Sequence, residues 1–402
     1  IWAEQALTTS GWARDVRVEI DPDGRIARIE AGAKPEGQRV GALMPAPANS
    51  HSHAFQRAMA GLSERRGDSP TDSFWTWRQL MFRFLDEITP DQVQAIAALV
   101  QMEMLEAGFA TNVEFHYLHH QPGGVPYERL GEMAERIAAA AETSGIGLTL
   151  LPVQYQFGGC DQRPLGSGQA RFGNDPDRYA RLLEDAGTAL KALPGDAVLG
   201  VAPHSLRAVS QSDLRKAAQL VPGGPVHLHL AEQIPEVEEV QAGWGARPVE
   251  WALDNLPLDD RWCLIHITQM LPQETEALAK TGAVAGLCPL TEASLGDGIF
   301  VLSPRRRGHF RGRGRSDRVL SRMSHRTPFR SRSRSSSLSI PSTHYGPTAG
   351  PEQSTALQRL TPTAGQGGPY AHCGAGLRRR PLWGPQRLPK SNISIPLHPS
   401  PS

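Results

Sequence analysis

The chain has 402 residues, with 42 Lys and Arg against 41 Asp and Glu, and 39% of it is hydrophobic. That length holds one large domain or two ordinary ones with a buried core, and that apolar content excludes a wholly disordered chain. No run approaches the roughly 18–20 apolar residues of a membrane span, and Glu4, Arg14 and Asp15 interrupt any leader-like stretch at the start.

In chain order, residues 12–30 predict two short alternating strands joined by a turn at Asp23-Gly24. Further strands are expected at 110–116, 146–154, 197–202, 225–231, 262–267 and 283–288. Helical patterns at 91–107, 130–144, 175–192, 210–220 and 273–281 lie between them. Pro90 near the start of the first helix and Gly108 after it match the usual asymmetry of helix ends. Strands separated by helices predict a parallel sheet, and six or seven such units predict an α/β fold of the (β/α)8 barrel type. The four cysteines (Cys160, Cys263, Cys288, Cys373) are widely spaced and form no CxxC pair. They predict neither a disulfide framework nor a thiolate zinc site, and a cytoplasmic setting is expected.

The pattern changes at Pro304. Residues 304–402 hold 18 of the basic side chains and only two acids, Asp317 and Glu352, so this tail carries +16 and residues 1–303 carry −15. The tail has neither a 2.0 nor a 3.6 residue period, and its Arg, Ser, Pro and Gly content predicts disorder. An out-of-frame reading of GC-rich coding DNA accounts for both the sharp onset and the composition. The rival reading is a basic arm that binds nucleic acid, on the strength of RGRGR and SRSRSSS.

The chemistry begins at His51-Ser52-His53. Residues i and i+2 of a strand share a face, so both imidazoles can reach one metal, although an HxH pair alone is also an ordinary polar loop. A second strand ends at His229, in His227-Leu228-His229, with Glu232 three residues further on. A carboxylate there can move protons for a hydrolytic water without ligating the metal. His227 is read as structural. His266, in CLIHITQM, again ends a strand, and a barrel gathers such strand ends around one mouth. Phe74-Trp75-Thr76-Trp77 is read as packing that can also wall a pocket; His116, His119 and His120 are unassigned.

The segments HSHAFQRAMAGLSERRG, DSFWTWRQLMFRFLD, EFHYLHH, APHSLRAV, HLHLAEQ, GARPVEW, LIHITQM and LCPLTEASLGDGIF closely resemble the amidohydrolase superfamily, and within it the formimidoylglutamate deiminases. The resemblance runs from about Trp12 to Phe300. It implies a metal-dependent barrel (residues 45–303) with a small β-sandwich to which residues 1–44 contribute, followed by the tail at 304–402. It also implies one Zn²⁺ per subunit on His51, His53 and His229, Glu232 as proton shuttle, and His266 as hydrogen-bond partner of the nucleophile. Substrate contacts map to Gln56, Arg78, Tyr117, His204 and Arg207, and the two guanidinium groups suit a small amidine with two carboxylates. The implied reaction is hydrolytic deimination of N-formimidoyl-L-glutamate in histidine degradation, by a subunit expected to form a homodimer and not to engage a membrane.

The family also places a metal-binding, catalytic aspartate at the end of the eighth strand. Ungapped counting from GDGIF puts Asp317 there, but Arg311, Arg313 and Arg315 occupy the strand that should precede it. Three arginines do not suit a strand buried on both faces, so the barrel is expected to be incomplete at this end and turnover by this chain impaired. Two alternatives go with that expectation: a purine or triazine deaminase of the same superfamily, and an inactive remnant with a nucleic-acid-binding tail.

Overall fold

The computed structural model describes residues 1–63, 74–298 and 300; Asp317 and the tail lie outside the described residues. Residues Ile1–Leu43 form one unit, and a second starts at Met44.

The first unit is a four-stranded sheet of β1 (Trp2–Thr8), β2 (Gly11–Ile20), β3 (Ile26–Glu30) and β4 (Arg39–Leu43), in the order β3-β2-β1-β4. The expected hairpin is β2 with β3, paired antiparallel. Its turn is set by Asp21, whose Oδ1 accepts the amides of Asp23 (3.0 Å) and Arg25 (2.8 Å), while Gly24 takes a φ of +83°. Alternate residues Val16 and Val18 pack on Ala3 and Ala6, and the intervening Arg17 pairs with Glu30 and Glu36 at the surface.

The second unit alternates strand and helix. Its parallel strands are β5 (Ala48–Ser52), β6 (Thr111–His116), β7 (Gly147–Gln154), β8 (Val198–Leu199), β9 (Ala202–Pro203), β10 (Val226–Leu230), β11 (Trp262–His266) and β12 (Val284–Gly286). One sheet runs β5-β6-β7-β8, with β9 also on β7, and a second runs β10-β11-β12. Single bridges at Val201–Val226 and Ser205–His229 join them. Among the described residues this makes seven successive barrel positions, with β8 and β9 sharing the fourth. The break between them centres on Gly200, where a Cβ would lie 2.5 Å from the Pro225 carbonyl oxygen, so the expected strand 197–202 is split.

The connecting helices are α1 (Phe74–Leu85), α2 (Pro90–Glu106), α3 (Glu132–Ser144), α4 (Pro176–Ala189), α5 (Gln211–Leu220), α6 (Ile234–Trp244), α7 (Pro248–Asn255), α8 (Pro272–Leu278) and α9 (Pro289–Leu295). Local chemistry starts several of them: Thr89 and Gln92 cap α2 reciprocally, while Asp175 and Ser210 cap α4 and α5. Sequence periodicity anticipates α2, α3, α4, α5 and α8 but not α1, α6, α7 or α9. Every residue of β10 and β11 is buried, as a sheet covered on both faces requires. Among the described residues no helix is long and apolar enough to cross a membrane.

Beside the barrel strands lies a group of buried histidines. Burial pushes His116 down to about 4, its Nε2 has no hydrogen-bond partner among the described residues, and its ring lies 5.3 Å from that of His119. Between pH 4 and the ordinary value near 6.5 the unfolded chain binds the proton and the folded chain does not. Stability therefore falls as pH drops through that window, by about 3 kcal/mol for this one group. His116→Leu is expected to flatten the acid limb of unfolding free energy measured by urea titration at pH 7 and pH 4.5.

Candidate metal centre and substrate cavity

Three imidazoles converge where β5 and β10 end. His51 Nε2 lies 3.0 Å from His53 Nε2 and 3.2 Å from His229 Nε2. His53 Nδ1 donates to the Phe115 carbonyl (2.9 Å) and His229 Nδ1 to the His204 carbonyl (3.2 Å). Those bonds leave the Nε2 lone pairs of His53 and His229 facing His51. Burial first, and then the neighbouring rings, hold His51 and His229 well below the ordinary histidine value, which favours their neutral, singly protonated form. Three converging imidazole nitrogens, two of them oriented by an outer nitrogen that donates to a backbone carbonyl, are the donor set a divalent cation requires. The residues present fit such an ion.

Glu232 sits on the loop after β10. Its backbone amide and that of Ala231 donate to the two oxygens of buried Glu236, at 3.0 and 3.2 Å. Burial raises Glu236, and Arg207 counters that shift. His266, the last residue of β11, stacks on His229 with ring centroids 5.4 Å apart and places Nε2 3.4 Å from Glu232. The two loops are tied together, since Thr268 Oγ1 donates to the Glu232 carbonyl and the Gln269 amide to that of Ala231.

The same cluster opens into a cavity of about 1150 Å³. Its lining includes His51, His53, His229, Glu232 and His266 together with Gln56, Arg78, Tyr117, His204 and Arg207. Of the residues given a metal, catalytic or substrate role from the sequence, all but Asp317, outside the described residues, meet in this one cavity; His227 and the unassigned His116, His119 and His120 do not line it. Gln56 donates to the Tyr117 hydroxyl (2.9 Å) and Arg78 to the Tyr155 hydroxyl (3.2 Å). Arg207 is half-buried and lies 3.9 Å from Glu239; burial works against its charge, yet Glu236, Tyr155 and Glu239 hold it above the ordinary arginine value. His204 is pushed well below its ordinary value by burial and then by Arg207 and Arg78. Trp77 and Thr76 form part of the wall.

Several residues escape the sequence reading: Tyr155, Glu236, Glu292 and Asp297. Tyr155 had a usable signal, as the first residue after a strand end. Burial and Glu232 raise Asp297 to about 7; its Oδ1 accepts from Gln233 at 2.8 Å.

With this geometry in hand, comparison with known proteins defines the class. The family model described as "Amidohydrolase family" matches residues 42–305, and the one described as "Formimidoylglutamate deiminase HutF, N-terminal domain" matches residues 1–39. The chain belongs to the amidohydrolase family, whose members generally use a divalent metal. Among individual relatives it is 48% identical to formimidoylglutamate deiminase of Pseudomonas aeruginosa over 75% of this chain and 66% of that protein. It therefore spans just under two thirds of that relative's length. A crystal structure of an amidohydrolase from Brucella melitensis superposes with a TM-score of 0.72 at 54% identity, covering 75% of this chain and 67% of the other. An adenosine deaminase from Xanthomonas campestris with bound zinc shares the fold at 21% identity and a TM-score of 0.56, over 74% of this chain and 64% of its own.

Proposed function

We propose that this chain is a zinc-dependent deiminase that hydrolyses N-formimidoyl-L-glutamate to N-formyl-L-glutamate and ammonia. The observation that carries the reading is that Arg78 and Arg207, among the arginines of the lining, share the cavity that holds the three-histidine cluster. The 48% identity to the Pseudomonas deiminase supports the same substrate. A neutral purine or triazine would leave both guanidinium groups unmatched by substrate charge.

His51, His53 and His229 would hold the ion, with Asp317 as positional candidate for a further ligand. A Zn²⁺ ion there supplies a Lewis acid that brings hydroxide within reach near neutral pH. Glu232 takes the proton of the attacking water and returns it to the departing nitrogen as the amidine C–N bond breaks and ammonia leaves. Glu236, holding two successive amides of the Glu232 loop, keeps that carboxylate at the cavity. Arg78 and Arg207 bind the two substrate carboxylates, and Gln56, Tyr117 and His204 line the space between. The arginines around Asp317 support the further proposal that turnover by this chain is reduced. A homodimeric, cytoplasmic enzyme belongs to the same proposal.

Ammonia release by the purified chain tests the reading across N-formimidoyl-L-glutamate, an aminopurine and an aminotriazine. Turnover of the first alone is expected; release from a ring substrate and none from the amidine would overturn it. Arg207→Met is expected to lower kcat/KM for the dicarboxylate by roughly 100-fold, which corresponds to about 2.7 kcal/mol.

A further inference from the structure

The turn that presents His266 is strained. His266 has a φ of +72° and the next residue, β-branched Ile267, one of +44°. L-residues with branched side chains rarely enter this left-handed region, and such strain persists only where the surroundings over-determine it. Here the Ile267 amide is held by the Leu230 carbonyl at 3.0 Å, and the His266 ring is gripped from both sides. Nε2 faces Glu232, and Nδ1 lies 3.3 Å from Glu292 Oε1. Glu292 comes from α9, beyond the next strand of the sheet, and is 4% exposed. The same Oε1 accepts the Cys288 amide at 2.7 Å, so one oxygen receives two donors and ties the start of α9 to the His266 ring.

We propose that Glu292 is a positioning residue for His266. It accepts the Nδ1–H, which decides the ring nitrogen that carries the hydrogen, and leaves Nε2 directed at Glu232 and the cavity. A backbone cap alone would need only the Cys288 amide, and nothing in that role requires an imidazole nitrogen at 3.3 Å. A buried carboxylate behind a functional histidine sets its tautomer and ring orientation, and losing such a partner typically lowers activity about 10–100-fold. The tautomer assignment stands on geometry; its consequence for turnover rests on the proposed deiminase reading.

The test uses the full chain labelled with ¹⁵N-histidine, with the His266 signals assigned by their loss in His266→Gln. Long-range ¹H–¹⁵N correlations are expected to show His266 with hydrogen on Nδ1 and a downfield N–H resonance. Glu292→Leu is expected to remove that resonance, with the signals of His119 and His120 unchanged. Glu292→Gln, which keeps an acceptor oxygen, is expected to retain the resonance but move it upfield, because the new acceptor is neutral. Should the leucine variant fail to fold, the glutamine variant decides: an unmoved resonance there overturns the proposal. So does a hydrogen found only on Nε2 in the parent chain. A Co²⁺–thiolate absorption band abolished by Cys288→Ser also overturns it, by placing a cation among His266, Cys288 and Glu292. In kinetics, Glu292→Leu is expected to lower kcat 10–100-fold with KM nearly unchanged, and Glu292→Gln to recover most of the loss. A parent chain with the expected tautomer but no deiminase activity would sink the functional reading and leave the positioning role intact.

Discussion

Zn²⁺ supplied at 100 times its dissociation constant is expected to raise the unfolding free energy of the chain by about 2.7 kcal/mol, and His229→Ala to abolish that gain. The expectation follows from the Nε2 atoms of His53 and His229, which lie 3.0 and 3.2 Å from that of His51. Only the folded chain brings them together, because His51 lies near the end of β5 and His53 just after it, whereas His229 lies 178 residues beyond His51, in β10. Ion binding is therefore coupled to folding. Denaturant titration with and without Zn²⁺, together with metal content by mass spectrometry after dialysis, makes the measurement. A His229→Ala chain that still retained one equivalent of zinc and the full stabilisation would show that the cluster is not the metal centre.

Glu232→Gln is expected to lower kcat by roughly 10²–10⁴-fold while leaving zinc content unchanged. Glutamine keeps the volume and the two backbone hydrogen bonds that Glu236 makes to this loop, and removes only the ability to take up and release a proton. Single-turnover ammonia release by the zinc-loaded variant separates this loss from any change in substrate affinity. A variant that kept more than a tenth of the parent rate would assign the proton transfer to another group, with Asp297, which interacts with Glu232, one carboxyl candidate.

Much of the site was legible before any coordinates. HLHLAE and LIHI each end an apolar run and HSH offers two imidazoles on one strand face, and a parallel α/β sheet places strand ends at one rim. The residues that hold those side chains in place were not legible. Glu236 works through backbone amides, Tyr155 through its hydroxyl on Arg78, and Glu292 through a bond to a residue 26 positions earlier in the chain. None of these has a signature in local spacing. The helices missed among the elements have a similar explanation. α7 and α9 are eight and seven residues long, and α6, α7 and α9 each carry a proline at their first or second position. Segments that short seldom complete a periodic pattern, although α8, equally short and also opened by a proline, was anticipated. α1 was obscured differently, since its aromatic residues invited a reading as wall and packing.

The sequence by itself determined the alternation of strand and helix, the residue types that meet at the barrel mouth, and the charge division between an acidic body and a +16 tail. Those properties depend on side-chain chemistry and periodicity, which are local. Only the tertiary structure decided which nitrogen of each histidine points inward, which carboxylates stand behind His266 and the Glu232 loop, and that Arg78 and Arg207 share a cavity with the metal cluster. These are relations between segments up to 178 residues apart, set by strand register and burial rather than by any neighbour in sequence.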